Sequence, residues 1–429
     1  MQTRWITLVV AIVLGMTFMS ANTGGDPAHE GKAGLSGFVN LLRFQQTKGV
    51  HAIAWSPDAS KIAVGDDSGT VSVFDSGSGS LIKQFQAHAT VISSIAWSPQ
   101  GKVATGSYDN TVKIWDSSKW EEKKTIKDHT DRVWDVAWSV NGTELGTAGR
   151  DGKVYRYNSD GDKLKEMDVS VTGQARAVSW EPAGDFLAGI VEDDFTKKSV
   201  IYKWSVLSGN VKKELTINST ASDISWDSEG NTVAVVLQNG TVMLLSADVF
   251  TPTKFITVCQ NRPLYALFWG TGEAKDQMVV GGDDRAIYTV NRSGASSSIP
   301  AAHTDYITVL TLSPNGTMFA SGSVDKFAKI WGDVHPQVVW HKPAKDAKGV
   351  SIKANITIKF DRKMDEPSLR TAISLNAPCN IVVRNNNTIA AIEPTSELAY
   401  DGKFTVLIKA TAKGTVGGNM SSDYSFMFS

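Results

Sequence analysis

The sequence predicts an all-β fold in which a four-stranded sheet is repeated along the chain and is followed by a smaller β-sandwich. The first observation is the stretch from His88 to Trp115, HATVISSIAWSPQGKVATGSYDNTVKIW. Its apolar residues alternate in short runs separated by Ser-Pro and Asp-Asn, which is the pattern of antiparallel strands joined by tight turns. The second observation is that this pattern recurs, and the third is that it stops near Gly332.

The repeat has a regular period. A tryptophan closes the first apolar run of six units and a leucine closes that of the seventh, and these positions are 41 to 46 residues apart. A period of about 40 to 45 residues is typical of the four-stranded blades of a β-propeller. Gly, Asn and Asp interrupt the units too often for helical repeats. We therefore predict a seven-bladed β-propeller over residues 37–332. The closing residues are Trp55, Trp97, Trp138, Trp180, Trp226, Trp269 and Leu312.

Composition limits the function classes. The chain has 429 residues, of which 41% are hydrophobic, and a formal net charge of −1. A globular protein without a basic excess is expected, so nucleic acid is not an expected partner. Cys259 and Cys379 lie far apart and neither belongs to a CxxC pair, so we expect no metal site built on thiols. The histidines lack ligand spacing, and we predict no cofactor and no metal.

The N-terminal segment predicts export. Residues 5–19, WITLVVAIVLGMTFM, form an apolar run of 15 residues behind Arg4. This length is typical of a signal peptide and short for a membrane span of about 20 residues. Residues 1–21 are therefore predicted to be a signal peptide or a retained signal anchor, with a buried core helix as the third alternative. Residues 22–36 have the composition of a flexible tether.

Three of the units share a specific set of motifs. In the second, Ala87-His88 leads through VISSIAWSPQGKVATGS to YDNTVKIWD, and in the seventh, Ala302-His303 leads through ITVLTLSPNGTMFASGS to VDKFAKIWG. The third has Asp128-His129, then VWDVAWSVNGTELGTAG and RDGKVYRYN. These units resemble the WD-repeat family of β-propellers. The other four keep the strand pattern, and mostly the tryptophan, but lack the histidine.

The resemblance implies a structural role for several polar residues. In WD repeats a His, a Ser or Thr, a turn Asp and a Trp form a hydrogen-bonded chain that joins adjacent strands. A buried Asp needs such partners, because an unpaired buried carboxylate is costly. We therefore expect a structural set rather than a catalytic triad. The matching residues are His88, Thr105, Asp109 and Trp115; His129, Thr147 and Asp151, with Tyr157 in place of the tryptophan; and His303, Ser321, Asp325 and Trp331.

The ends of the repeat region predict how the ring closes. The last unit supplies only three strands before Gly332, while residues 38–45, FVNLLRFQ, form an extra strand ahead of the first unit. In WD propellers such a strand usually completes the final blade, which removes the exposed edges of an open ring. Deleting residues 37–46 is therefore expected to destabilise the whole ring.

The last segment, residues 333–429, predicts a separate β-sandwich. Alternation is strong in SIKANITIKF, KFTVLIKATA and DYSFMFS. This segment resembles the bacterial immunoglobulin-like domains of exported and surface-layer proteins. The residues that carry the resemblance are Pro343, Gly349-Val350, the run from Asn355 to Phe360 before Met364-Asp365, and Tyr424-Ser425-Phe426. Such domains act mostly as spacers or adhesive units.

A binding face is the most informative functional prediction. The sequence contains no G-x-S-x-G, H-E-x-x-H, Walker or G-x-G-x-x-G signature, so no enzyme is predicted. In WD propellers, partners contact the loops before each first strand and before the turn Asp. Arg, Tyr and Trp at those offsets are of the types enriched in interface hot spots. These residues are Tyr108, Arg132, Trp134, Arg150, Arg176, Tyr265 and Tyr306.

Two functional classes remain open. The first is a non-enzymatic scaffold, exported or anchored by its N-terminal segment, whose propeller face binds a protein or glycan partner. The second is an extracytoplasmic propeller enzyme, a hydrolase or a quinoprotein-like oxidoreductase, with its site at the central channel. WSPDASKIAV also resembles periplasmic propellers of the TolB type, which are binding proteins too. For the scaffold, we expect replacement of Trp134 and Arg150 by alanine to weaken partner binding and to leave the melting temperature within a few degrees.

Overall fold

The computed structural model describes residues 38–333, 335–351, 353, 355–385, 387–399, 402–415 and 418–429. The predicted signal peptide or anchor (1–21) and the tether (22–36) lie outside these residues. Among the helices that the structure does describe, none is long and apolar enough to cross a bilayer.

Four-stranded antiparallel sheets follow one another along the chain, and we call them blades 1 to 7. The described part begins with β1 (Val39–Gln45), which belongs to the last blade. Blades 1 to 3 consist of β2 (Val50–Trp55), β3 (Lys61–Asp66), β4 (Thr70–Asp75) and β5 (Leu81–Gln86); β6 (Ile92–Trp97), β7 (Lys102–Ser107), β8 (Val112–Asp116) and β9 (Glu121–Ile126); and β10 (Val133–Trp138), β11 (Glu144–Gly149), β12 (Val154–Asn158) and β13 (Lys163–Glu166).

The other blades repeat this order. Blades 4 to 6 consist of β14 (Gly173–Trp180), β15 (Phe186–Asp193), β16 (Ser199–Ser205) and β17 (Val211–Ile217); β18 (Ala221–Trp226), β19 (Thr232–Leu237), β20 (Thr241–Ser246) and β21 (Pro252–Thr257); and β22 (Leu264–Trp269), β23 (Gln277–Gly282), β24 (Ile287–Asn291) and β25 (Ser296–Ile299). Blade 7 consists of β26 (Ile307–Leu312), β27 (Met318–Ser323), β28 (Phe327–Gly332) and β1. A short 3-10 turn, Gly272–Ala274, precedes β23.

The blades form a closed ring. The first strand of each blade contacts the first strand of the next, and β26 of blade 7 contacts β2 of blade 1. The chain closes the ring through β1, which pairs antiparallel with β28 from Val39 opposite Gly332 to Gln45 opposite Phe327. Phe44 is buried and its ring lies 4.6 Å from that of Phe74 in blade 1. The two ends of the repeat region are therefore joined by both strand pairing and packing.

The tryptophans that close the first strands connect neighbouring blades. The indole N–H of Trp180 donates to the carbonyl oxygen of Ala137 in the preceding blade, 2.9 Å away. The same bond recurs from Trp55 to Thr311, Trp138 to Ala96, Trp226 to Ser179 and Trp269 to Ser225. Each of these bonds runs from the first strand of one blade to the first strand of the blade before it. The period of the tryptophans is therefore also the period of the inter-blade hydrogen bonds.

The turn between the second and third strands of a blade has a repeated chemistry. In blade 1, the Asp66 carboxylate accepts from the backbone N–H groups of Ser68 (2.9 Å) and Thr70 (3.1 Å), which stabilises the reversal. Gly69 in this turn has φ of +81°, and a Cβ built on it would lie 2.1 Å from the carbonyl oxygen of His88. Glycine is therefore required here both by the backbone conformation and by the close approach of the next blade.

The C-terminal segment forms two sheets around a core of its own. One has the order β29 (Val338–Lys342), β30 (Ile356–Phe360), β33 (Ile389–Pro394) and β32 (Cys379–Arg384), and the other has β31 (Ile373–Leu375), β34 (Phe404–Ile408) and β35 (Tyr424–Phe428). A helix, α1 (Glu366–Ala372), begins at Asp365, whose carboxylate accepts from the Ser368 N–H at 3.0 Å. Apolar residues of both sheets and of α1 form one buried cluster. The predicted all-β fold class is confirmed.

Candidate binding site at one end of the ring

The His88 set forms a continuous hydrogen-bonded chain. His88 Nε2 lies 2.7 Å from Thr105 Oγ1, which also accepts from Trp115 Nε1 at 2.9 Å. On the opposite side of the imidazole, His88 Nδ1 lies 2.9 Å from an Asp109 carboxylate oxygen. Burial alone would raise the pKa of Asp109, but the hydrogen bond and charge of His88 outweigh it and hold that pKa well below its usual value. These side chains join the strands of blade 2.

Blades 3 and 7 contain the equivalent chains. In blade 7, His303 Nε2 lies 2.7 Å from Ser321 Oγ and its Nδ1 lies 2.9 Å from Asp325, while Trp331 Nε1 donates to Ser321 at 2.8 Å. In blade 3, His129 lies 2.8 Å from Thr147 and 3.0 Å from Asp151, and the fully buried Tyr157 takes the tryptophan position. A Cβ at Gly149 would lie 2.3 Å from His129 Nδ1, so only glycine leaves room for that pair.

A β-bulge interrupts the innermost strand of each described blade. The extra residue always stands four positions before the closing tryptophan or leucine. A bulge redirects its side chain out of the regular alternation. Because the innermost strands start at the same end of the ring, the redirected side chains collect at one mouth of the central channel. The bulged residues are His51, Ser93, Trp134, Arg176, Ser222, Tyr265 and Thr308.

The mouth contains a continuous cluster of aromatic and cationic side chains in blades 2 to 4. The Arg132 guanidinium carbon lies 4.7 Å from the centre of the Tyr108 ring, and Tyr108 packs edge-on against Trp134 at 5.0 Å. The Arg176 guanidinium carbon lies over the Trp134 ring, 5.7 Å from its centre. Cation–π contacts of this kind hold the two guanidinium groups in defined positions. The structure therefore brings together four of the seven residues that the sequence predicts for partner binding.

The cations at this mouth differ in how far their charge is compensated. Arg176 pairs with the buried carboxylate of Glu192, its Nε lying 3.0 Å from Oε2. Arg150 is exposed and lies 3.5 Å from Asp131, a surface pair of little energetic value. The side chain of Arg132 is half-buried and belongs to no ion pair among the described residues. Of these three arginines, Arg132 and Arg150 are therefore the ones that a partner can reach.

A second aromatic group lies at the same mouth in blades 6 and 7. The rings of Tyr265 and Tyr306 meet edge-on at 6.1 Å. Burial raises the pKa of Tyr265 to about 12. It also raises that of Tyr306, to which the charges of Asp305 and Asp67 and the hydroxyls of Tyr265 and Tyr108 add. Tyr306 is thus close to groups on four blades.

The position of Trp134 differs from the prediction. Its side chain is only 1% exposed, and Tyr108 and Arg176 are among the residues that pack against the indole, so its ring is not an accessible contact surface. This burial argues against the expectation that Trp134→Ala together with Arg150→Ala leaves the melting temperature within a few degrees. Trp134 supports the residues that a partner reaches.

Several buried polar atoms at the mouth have no hydrogen-bond partner among the described residues. They are Trp134 Nε1, Tyr306 OH, His51 Nδ1 and Ser222 Oγ. Three of them belong to bulged residues. Buried donors and acceptors are normally satisfied, so this end of the ring offers hydrogen-bonding capacity that the blades do not use.

Three acidic residues lie near the channel, and two of them, Asp135 and Asp223, were not predicted from the sequence. Asp67 pairs with His51, its carboxylate lying 2.7 Å from Nε2. Asp135 is fully buried and accepts from Ser94 Oγ (3.0 Å) and from the Val178 N–H of the next blade (2.9 Å). Asp223 accepts from the Leu267 N–H in the same way at 2.7 Å. The sequence does contain a sign of Asp135 and Asp223, because each is a carboxylate inside an apolar strand, VWDVAW and ASDISW.

Comparison with protein families matches both parts of the chain. A model described as WD domain, G-beta repeat, matches residues 39–75, 79–116, 120–158 and 296–332. A model described as Bacterial Ig-like domain matches residues 332–429. Comparison with curated protein sequences finds no significant match. The matched repeats include the three that contain the His, Ser or Thr, and Asp set. The chain therefore combines WD repeats with a C-terminal bacterial immunoglobulin-like domain.

Proposed function

We propose that this protein is a non-enzymatic scaffold that binds a protein partner at the channel mouth. WD and immunoglobulin-like domains typically serve interaction or scaffold roles. The observation that carries the proposal is the cluster of Tyr108, Arg132, Trp134 and Arg176. Large aromatic surface and guanidinium groups that packing already orients lose little entropy when a partner binds.

The chemistry of the mouth favours a partner segment with acidic and aromatic residues. Arg132 and Arg150 supply the accessible positive charge, and guanidinium groups bind carboxylates in a planar, bidentate manner. Tyr108 and Tyr306, both half-buried, supply edges and faces for apolar packing. A protein segment that carries both acidic and aromatic side chains contacts the arginines and the tyrosines together.

The acidic residues near the channel have structural partners, which supports the scaffold over the enzyme. Asp135 connects blades 2, 3 and 4 through Ser94 and the Val178 N–H, and Asp223 connects blades 5 and 6 through the Leu267 N–H. Burial raises the pKa of Asp135 to about 7. A carboxyl group held by backbone donors of the neighbouring strand is poorly placed to transfer a proton to a substrate.

Bacterial immunoglobulin-like domains are typically extracellular or surface-associated. We extend the proposal to location on this ground: the protein acts outside the cytoplasm, where the C-terminal domain spaces or attaches the propeller. The apolar run in residues 5–19 supports export.

Partner capture with matched charge variants tests the binding site. The double variant Arg132→Ala/Arg150→Ala is used as bait in an extract of the cells that produce the protein. We expect it to capture at least about tenfold less partner than the wild type, because two accessible guanidinium groups are lost. The matched control is Lys83→Ala with Lys213→Ala, which removes two exposed cations from the outer strands β5 and β17. Equal recovery by both double variants would contradict the proposal, and loss of binding only after glycan removal would identify a glycan partner instead.

A further inference from the structure

A small cleft, partly open to solvent, lies between the propeller and the immunoglobulin-like domain. The propeller side consists of turns in blades 1 and 7, at Asp58–Ser60, Ser76–Gly77 and Asn315. The other side consists of Lys359–Lys363 and Thr388. These propeller turns lie at the end of the ring opposite the channel mouth, so the cleft is separate from the proposed partner site.

Hydrogen bonds between the domains fix the two walls of the cleft. Asn315 Nδ2 donates to the carbonyl oxygen of Asp361 at 3.1 Å, and Thr415 Oγ1 donates to the carbonyl oxygen of Gly77 at 3.1 Å. Gly77 also approaches Lys363 so closely that a Cβ on the glycine would lie 2.5 Å from the Cβ of Lys363. The cleft is therefore a defined feature of the junction.

A buried arginine in this wall is only partly satisfied. Arg362 is 4% exposed, and its Nε and Nη2 donate to the Asp361 carboxylate at 3.0 and 2.6 Å. Its Nη1 has no hydrogen-bond partner among the described residues. A guanidinium group has five N–H donors, and leaving a buried charged donor unsatisfied is costly. The site therefore retains unused capacity for an acceptor.

The charges around Arg362 favour an anionic acceptor. Lys359 and Lys363 line the same cleft, and neither belongs to an ion pair within the part of the chain that the structure describes. The two carboxylates of the cleft are already engaged: Asp361 accepts from Arg362 and the Gln337 N–H, and Asp58 accepts from Ser56 and Ser60. The lining thus carries three cations and two carboxylates, of which Asp361 is paired with Arg362, so the cleft has a net charge of one positive unit.

We propose that the junction cleft binds an oxyanion, a carboxylate or phosphate group, through Arg362 Nη1, Lys359 and Lys363. The anion completes the hydrogen bonds of the buried guanidinium. Because both domains line the cleft, binding stabilises the contact between them.

Titration of the full chain with inorganic phosphate and with acetate tests this proposal. Isothermal calorimetry at constant ionic strength, with chloride as the control anion, is expected to show saturable binding of at least one oxyanion. Saturation by phosphate alone or by acetate alone identifies which group the cleft takes. Absence of saturable binding of either would overturn the proposal.

Variants locate the bound anion. Lys359→Gln and Lys363→Gln keep the Asp361–Arg362 pair, and each is expected to weaken binding about tenfold, because each removes a charge-assisted contact. Lys345→Gln, at an exposed position of the same domain outside the cleft, is the matched control and keeps the wild-type affinity. Equal affinities in all three variants would overturn the assignment to this cleft.

Discussion

The indole N–H of Trp180 donates a 2.9 Å hydrogen bond to the carbonyl oxygen of Ala137 across the boundary between blades 3 and 4. Both residues are buried. The first prediction is that Trp180→Phe lowers the free energy of unfolding by about 1–3 kcal/mol, since it removes a buried hydrogen bond between blades and part of a packed side chain. Trp97→Phe is the control, because Trp97 is half-exposed and packs edge-on against Trp120 at 5.2 Å. Denaturant unfolding of both variants measures the difference, and equal losses would argue against a specific role for the inter-blade bond.

Closure of the ring by β1 is the second prediction. Phe44→Ala is expected to cost about 3–5 kcal/mol, because it empties a buried position against Phe74 and Trp55. Val39→Ala, in the same strand but 44% exposed, should change stability by no more than about 0.5 kcal/mol. Deletion of residues 37–46 should lower the melting temperature of the whole ring. A truncated protein that melts cooperatively at the wild-type temperature would rule out closure by this strand.

The third prediction concerns the pH dependence of Asp135. Its pKa is about 7 in the folded chain because of burial, whereas an Asp in an unfolded chain titrates near 4. Between these pH values the folded protein retains a proton that the unfolded chain has lost, so rising pH costs the wild type about 1.4 kcal/mol per pH unit from this group. Asp135→Asn removes that loss, and its amide can still accept from Val178 N–H and donate to Ser94. Its stability relative to wild type should rise from pH 4 to pH 7.

Asp325→Asn is the control with the opposite sign. The hydrogen bond and charge of His303 outweigh burial and hold the pKa of Asp325 at about 2. The contribution of this carboxylate is therefore present above about pH 4 and is lost as the pH falls through its folded pKa. The wild type should exceed Asp325→Asn in stability at neutral pH and lose this advantage in acid. Parallel pH profiles for the two variants would contradict both assignments.

The fourth prediction replaces the sequence-based expectation for Trp134. Because its ring is 1% exposed between Tyr108 and Arg176, Trp134→Ala is expected to lower the free energy of unfolding by about 3–5 kcal/mol. Arg150→Ala, whose side chain is 43% exposed, should leave stability within about 0.5 kcal/mol of wild type. Thermal and denaturant unfolding of the two single variants separate these effects. A stable Trp134→Ala protein would mean that the indole is not packed as described.

The sequence predicted the repeated sheets well because strand alternation and turn residues are local signals. The period from Trp55 to Leu312 follows from one such signal at the end of each innermost strand. What the tryptophans bond to was not predictable, because each acceptor, such as Ala137 for Trp180, lies about one repeat away on a different sheet. The donor and the acceptor are brought together only when neighbouring blades pack side by side in the ring.

For the candidate site, the equivalence of positions in successive repeats was predictable from the sequence, but the exposure of the side chains was not. The offsets within a repeat correctly placed Trp134, Arg176 and Tyr265 at equivalent positions, which prove to be bulges. Burial of Trp134 depends on Tyr108 from the preceding blade and Arg176 from the following one, and one repeat considered alone contains neither. The buried Asp135 was missed for the same reason, since its partners are Ser94 and Val178.

Site-specific photo-crosslinking tests the central claim, that the channel mouth is the partner-binding surface. A photoreactive phenylalanine analogue at position 132 is expected to form a covalent adduct with the partner in the producing cells. The same analogue at position 213, on the exposed outer strand of blade 4, is expected to form none. Adducts of equal yield at both positions, or adducts only at position 213, would contradict the claim.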